Sequence, residues 1–140
     1  MKPVALSLAI ASALALSLLT ASAEDKKLDA SKLPPASDKK EVTYAADIKP
    51  MLEKSCFKCH GAEKQKSKLR LDSLDAVIKG GDNGPDIVAG KVDKSPLVFA
   101  VAHVGDDEEE FMPPAKSKDT PKLTAAQIGL IRAWVEQGAK

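Results

Sequence analysis

The pentapeptide Cys56-Phe57-Lys58-Cys59-His60 limits what this chain can fold around more than any other stretch. C-x-x-C-H is the attachment signature of c-type haem. Each thiol adds across one vinyl group, and the two-residue spacer sets both sulfurs on one edge of the macrocycle. The histidine after the second cysteine then falls under the iron as its proximal ligand. Both cysteines of the chain lie in this motif, so none remains for another disulfide or redox pair. A thioredoxin-like C-x-x-C needs a preceding strand and a βαβ pattern, and neither is written here. Zinc needs a fourth ligand, and the only other histidine, His103, has no partner at ligand spacing.

At 140 residues there is room for one domain. Its aromatic side chains are Tyr44, Phe57, Phe99, Phe111 and Trp134. A core so poor in large residues is thin, and a buried haem supplies the missing apolar body. The formal net charge is +1 and falls to zero once an N-terminal segment carrying only Lys2 is removed. Nucleic acid as a partner calls for a basic excess, which is absent.

That N-terminal segment joins Lys2 to an apolar run from Val4 to Leu19 and then to the small residues Ala21 and Ala23. It reads as a secretory signal peptide over residues 1–23, cleaved after Ala23. As a membrane span it is short and is diluted by Ser7, Ser12 and Ser17. No cysteine follows the cleavage site to carry a lipid. Residues 24–41, rich in Lys, Asp, Ser and Pro without an apolar period, read as a charged flexible tether. The folded domain is expected over 42–140.

Tyr44, Ile48 and Leu52 form a helical stripe running into Cys56, with a kink or restart expected at Pro50. Leu69-Arg70-Leu71 reads as extended, and Asp72 as the cap of a brief helix from Ser73 to Lys79 that stops at Gly80-Gly81. The Gly80–Pro85 run lacks the Lys-Ser/Thr pair of a phosphate loop, and its glycines suit close backbone approach to a haem face. Ser95-Pro96 reads as a cap and first-position proline opening a helix through Leu97, Val98, Val101 and Ala102. Five carboxylates follow at 106–110. Thr124 and Gln127 read as a capping box starting a last helix, with Ile128, Ile131, Trp134 and Val135 on one face and Gly138 after it. The first and last stripes have no other long partner and are expected to cross.

An electron-carrying haem is best served by two strong axial ligands. His60 supplies one, and Met51, His103 and Met112 are the candidates for the other. Met51 suits core filling on its helix. Met112, stiffened by Pro113-Pro114 well downstream, is favoured; His103 is the competitor, and equally suits a cap of its helix or a contact to a haem propionate. On this reading the loss of His103 leaves the ligation of the iron nearly unchanged.

The run from Val42 to Ala139 resembles a planctomycete-type cytochrome c domain, a small branch of the class I cytochromes c. The resemblance rests on Asp47-Ile48-Lys49-Pro50-Met51-Leu52, Cys56-Phe57-Lys58-Cys59-His60-Gly61, and Lys68-Leu69-Arg70-Leu71-Asp72-Ser73. It continues through Gly80-Gly81-Asp82-Asn83-Gly84-Pro85, Gly90, Met112-Pro113-Pro114, Leu123-Thr124, and Trp134-Val135-Glu136-Gln137-Gly138-Ala139. It implies an all-α haem fold with Met112 distal. Gly84-Pro85 resembles the turn whose carbonyl orients the proximal imidazole in class I cytochromes c, so the Pro85 carbonyl is expected to accept from His60 Nδ1. The fusion modules common in such proteins are absent from this sequence.

The expectation is therefore a periplasmic, monomeric electron carrier with one covalent haem c, held by Cys56 and Cys59 and ligated by His60 and Met112. It exchanges electrons with redox proteins and is not an enzyme. A haem sensor or enzyme with a displaceable sixth ligand is the alternative, and a haem-free binding module with Cys56 and Cys59 in a disulfide is a further one. Lys58, Lys64, Lys66 and Lys68 on one side and Asp106 to Glu110 on the other either steer a partner or are solvated faces.

Overall fold

Tyr44, Ile48 and Leu52 share one face and run along the start of the helical domain, which fixes where its core lies. The computed structural model describes residues 28–140, so the signal segment expected at 1–23 lies outside the described residues. Among the described residues the structure is helical and has no strand. A π-helical turn, Tyr44–Ile48, passes directly into α1, Lys49–Ser55, with Pro50 in its first turn. Proline has no amide to donate, so the i→i−4 ladder restarts there, as the sequence predicts. After a break at Cys56 come α2, Phe57–His60; α3, Leu74–Lys79; α4, Pro96–Ala102; and α5, Ala125–Glu136.

The first stripe packs on α5. Trp134 is fully buried, as are Ile48 and Leu52, and the Tyr44 and Trp134 ring centroids lie 6.1 Å apart. The capping box at the start of α5 is complete: Gln127 N donates to Thr124 Oγ1 at 3.2 Å and Thr124 N to Gln127 Oε1 at 2.9 Å. Its far end is closed by Gly138, whose positive φ of 100° lets its amide turn back to Val135 O at 3.0 Å.

Two expected caps differ. Ser73, not Asp72, caps α3 by accepting from Ala76 N, because Asp72 is engaged by the Arg70 guanidinium at 2.6 and 2.9 Å. Ser95 precedes Pro96 at the start of α4 but does not cap it. It is fully buried, and its hydroxyl accepts from Val88 N at 2.9 Å and reaches the Lys91 carbonyl at 2.8 Å. It staples the turn before the helix instead.

The tether reading is corrected for residues 28–41, which are docked along α5. Ser37 N donates to Gly129 O at 2.9 Å, and Arg132 Nη1 donates to Pro34 O at 3.1 Å. Gln137 Nε2 donates to Lys39 O at 2.8 Å, while its Oε1 accepts from Val42 N at 3.0 Å. Leu33 is buried, and Lys39 pairs with Asp47, whose carboxyl that ion pair holds below its ordinary value. Gly129 makes the approach possible: a Cβ there would lie 2.5 Å from the Pro35 carbonyl oxygen. A Pro- and Lys-rich strip still docks when its carbonyls find fixed donors, since proline removes only its own N–H.

Candidate functional site

His60 is set by backbone geometry before its ring meets anything. Its amide donates to Cys56 O at 2.9 Å and its carbonyl accepts from Leu71 N at 2.8 Å, which locks α2 against the 69–71 strip. Gly61 follows because any Cβ there would meet Phe57 O at 2.6 Å. The glycine run then closes over this side. Gly81 and Gly84 exchange backbone bonds at 3.1 Å, and Asp82 N donates to Ser67 O at 2.8 Å. At Gly81 a Cβ would lie 2.5 Å from that same Ser67 oxygen, so close backbone approach is the reason for glycine there.

These elements form one wall of a cavity of about 620 Å³. Leu97, Phe99 and Ala100 of α4 and the loop from Val104 to Met112 contribute to the lining as well. Clefts that bury a cofactor-sized ligand fall in the range of about 300–1,000 Å³. His60 and Met112 both line it; His103 does not. Asp29, Asp82, Asp106, Glu109 and Glu110 also line it, with Lys32 among them. Residues 28, 29 and 32 come from the arm that sequence composition marked as solvent.

Burial pushes the His60 imidazole below its ordinary value, while the Leu69 and Lys66 carbonyls and the Asp86 carboxylate favour its protonated form. None of these groups makes a hydrogen bond to Nδ1, which is buried and without a partner. The expected bond to the Pro85 carbonyl is therefore absent, although Pro85 lines the cavity. Its loop is tied through Gly81, Asp82 and Gly84 to the Ser67 turn and not through the ring. Asp86, the next residue, was not legible as a site residue. It lines the cavity, and burial raises its carboxyl against the opposing pull of His60.

Cys56 and Cys59 are both free thiols. Neither is on the cavity lining expected to include them. Cys56 belongs to the apolar core, and burial first, then the charge of Cys59, pushes its thiol up to about 12. Cys59 is partly exposed. No group of three His, Cys, Asp or Glu side chains among the described residues is arranged to hold a bare metal ion.

His103 ends α4 in the left-handed region, with φ 54°. Its Nε2 lies 2.9 Å from Pro113 O, and its ring stacks on Phe111 at 4.9 Å. A carbonyl only accepts, so Nε2 carries a proton and donates. The lysines expected to form a patch are partly neutralised: Lys68 pairs with Asp82 at 2.8 Å and Lys58 with Asp119 at 3.4 Å.

An all-helical fold that carries C-x-x-C-H, with its histidine on a cavity of this size, agrees with a haem-binding c-type cytochrome domain. Within that class, residues 56–116 match the family described as planctomycete cytochrome C, the family the motifs resemble. The match runs from the first cysteine past Met112 and is shorter than the resemblance, which extends from Val42 to Ala139. No curated protein and no solved structure matches the chain.

The residues fit the covalent haem that a cytochrome c domain implies. His60 and Met112, an imidazole and a thioether residue, line a single cavity, and His60 Nδ1 is buried without a partner. Cys56 lies one helical turn before His60 and Cys59 directly before it, on the same short stretch of chain.

Proposed function

We propose that this protein is an exported, monomeric electron carrier with one covalent haem c, axially ligated by His60 and Met112, that performs no bond chemistry. The observation that carries the reading is the shared cavity: His60 and Met112 both line it, whereas His103 is committed to a backbone carbonyl. When bound, the haem supplies a one-electron couple. His60 offers Nε2 from a backbone that is held at both its amide and its carbonyl. Met112 offers a soft sulfur that favours the ferrous state and so raises the potential. Cys56 and Cys59 fix the macrocycle edge. The acidic residues on the cavity lining favour a basic docking face on the partner, an attraction weakened by salt.

The test is a visible spectrum of the exported protein in both redox states, with its mass. Covalent haem mass and a weak long-wavelength sulfur-to-ferric-iron band are expected. In Met112→Ala the haem remains attached through Cys56 and Cys59, the band disappears, carbon monoxide binds the reduced protein, and the potential falls. Carbon monoxide binding to the untreated reduced protein would favour the sensor or enzyme alternative.

A further inference from the structure

Met112 sits in a segment that can hardly anchor itself. Pro113 and Pro114 have no amide to donate, so the chain after Met112 depends on donors elsewhere. The end of α4 supplies one acceptor and one donor to this segment. The carbonyl of Ala100 accepts from His103 N at 3.2 Å and from Met112 N at 3.0 Å, so the loop leaves and returns at a single oxygen. His103 then reaches past Met112 on both sides. Its Nε2 lies 2.9 Å from Pro113 O, and its ring stacks on Phe111 with the planes 15° apart.

We infer that His103 is a positioning residue that clamps the residues before and after Met112 and so holds the thioether in the cavity; this rests on the axial role proposed for Met112. It reverses the sequence-based expectation that His103 is either a rival ligand or dispensable. The left-handed backbone at His103 turns the chain back over its own helix. Histidine is among the side chains that tolerate that conformation. Donation from Nε2 to a carbonyl also takes that nitrogen out of competition for iron. Were Met112 to ligate a bound haem, a clamp on its loop would set how readily an added ligand displaces it.

The experiment uses the ferric holoprotein titrated with imidazole, reading the concentration at which the sulfur-to-iron band is lost. His103→Gly removes the ring and relieves the left-handed backbone, which keeps the fold intact. It is expected to lower that concentration about tenfold, the scale of one lost hydrogen bond with its stacking contact. His103→Gln restores an N–H donor without the ring and should recover part of the loss. In the haem-free chain, hydrogen exchange at the Met112 amide should speed about tenfold in His103→Gly, while the Ala139 amide, bonded to Trp134 O at 2.9 Å, is unchanged. Equal imidazole midpoints in wild type and both variants, with the band present in wild type, overturn the inference alone. A wild-type holoprotein lacking the band overturns the axial role of Met112 and the inference with it.

Discussion

The arm with α5 and the cavity with its loops are built on opposite terms. Along α5, polar groups close on one another. Thr124 and Gln127 satisfy each other, the Gln137 amide satisfies the arm on both its faces, and Trp134 Nε1 donates to Lys140 O at 2.9 Å. Beside the cavity, among the described residues, one buried side-chain nitrogen, His60 Nδ1, has no partner. Asp86 is raised by burial. An orphaned buried group costs about 1–3 kcal/mol. The paired polar groups along α5 and the orphaned nitrogen beside the cavity lie in different regions of the fold.

Four substitutions test that separation. Trp134→Ala opens a cavity in the closed half and should cost about 3–5 kcal/mol by denaturant unfolding. It should leave the haem spectrum of the surviving folded protein unchanged; a shifted sulfur band would mean that the two halves are not independent. Gly129→Ala sets a Cβ 2.5 Å from the Pro35 carbonyl, so the arm must shift. A loss of about 1–3 kcal/mol is expected, together with faster proteolysis within residues 28–41. An unchanged cleavage rate would show that the arm is not held there. Met112→Ala, in the open half, should move the stability of the haem-free chain by less than about 1.5 kcal/mol while abolishing the sulfur band. Thr124→Ala removes half of the capping box and should cost about 1 kcal/mol with no spectral change.

The effect that shows itself only at high pH belongs to Tyr44→Phe. Burial first, then the charge of Asp72, raises the Tyr44 phenol from 10.0 to about 12, and its hydroxyl donates to Leu71 O at 2.7 Å. Because the folded value lies above the unfolded one, the phenol's stabilisation is complete below pH 10 and is lost as pH rises toward 12. Urea midpoints should therefore fall across that window in wild type and fall less steeply in Tyr44→Phe. Equal slopes would remove Tyr44 from the account.

Local signals were legible wherever local physics decides. The capping box, the restart at Pro50, the stripe ending in Trp134 and the haem motif all depend on residues within a few positions of one another. The arm was not legible, because its order comes from Gly129 and Arg132 about a hundred residues away, while its own composition reads as solvent. Asp86 gave no signal for the same reason: its neighbour His60 is near only after the glycine run folds back. Met112 and His103 were both singled out, but which of them faces the cavity depends on a left-handed turn at the end of α4. Histidine adopts that turn without announcing it in the sequence.

The shared carbonyl of Ala100 has a consequence for how such a protein changes over generations. A loop pinned at both ends to one oxygen is a closed lasso, and lengthening it costs little, about 0.6 kcal/mol for each doubling. The exposed residues Asp107 and Glu108, which are not on the cavity lining, can change in charge while the Met112 amide stays tied to the same oxygen. The charge of this loop and the anchoring of Met112 are thus carried by different atoms, the first by side chains and the second by one backbone oxygen.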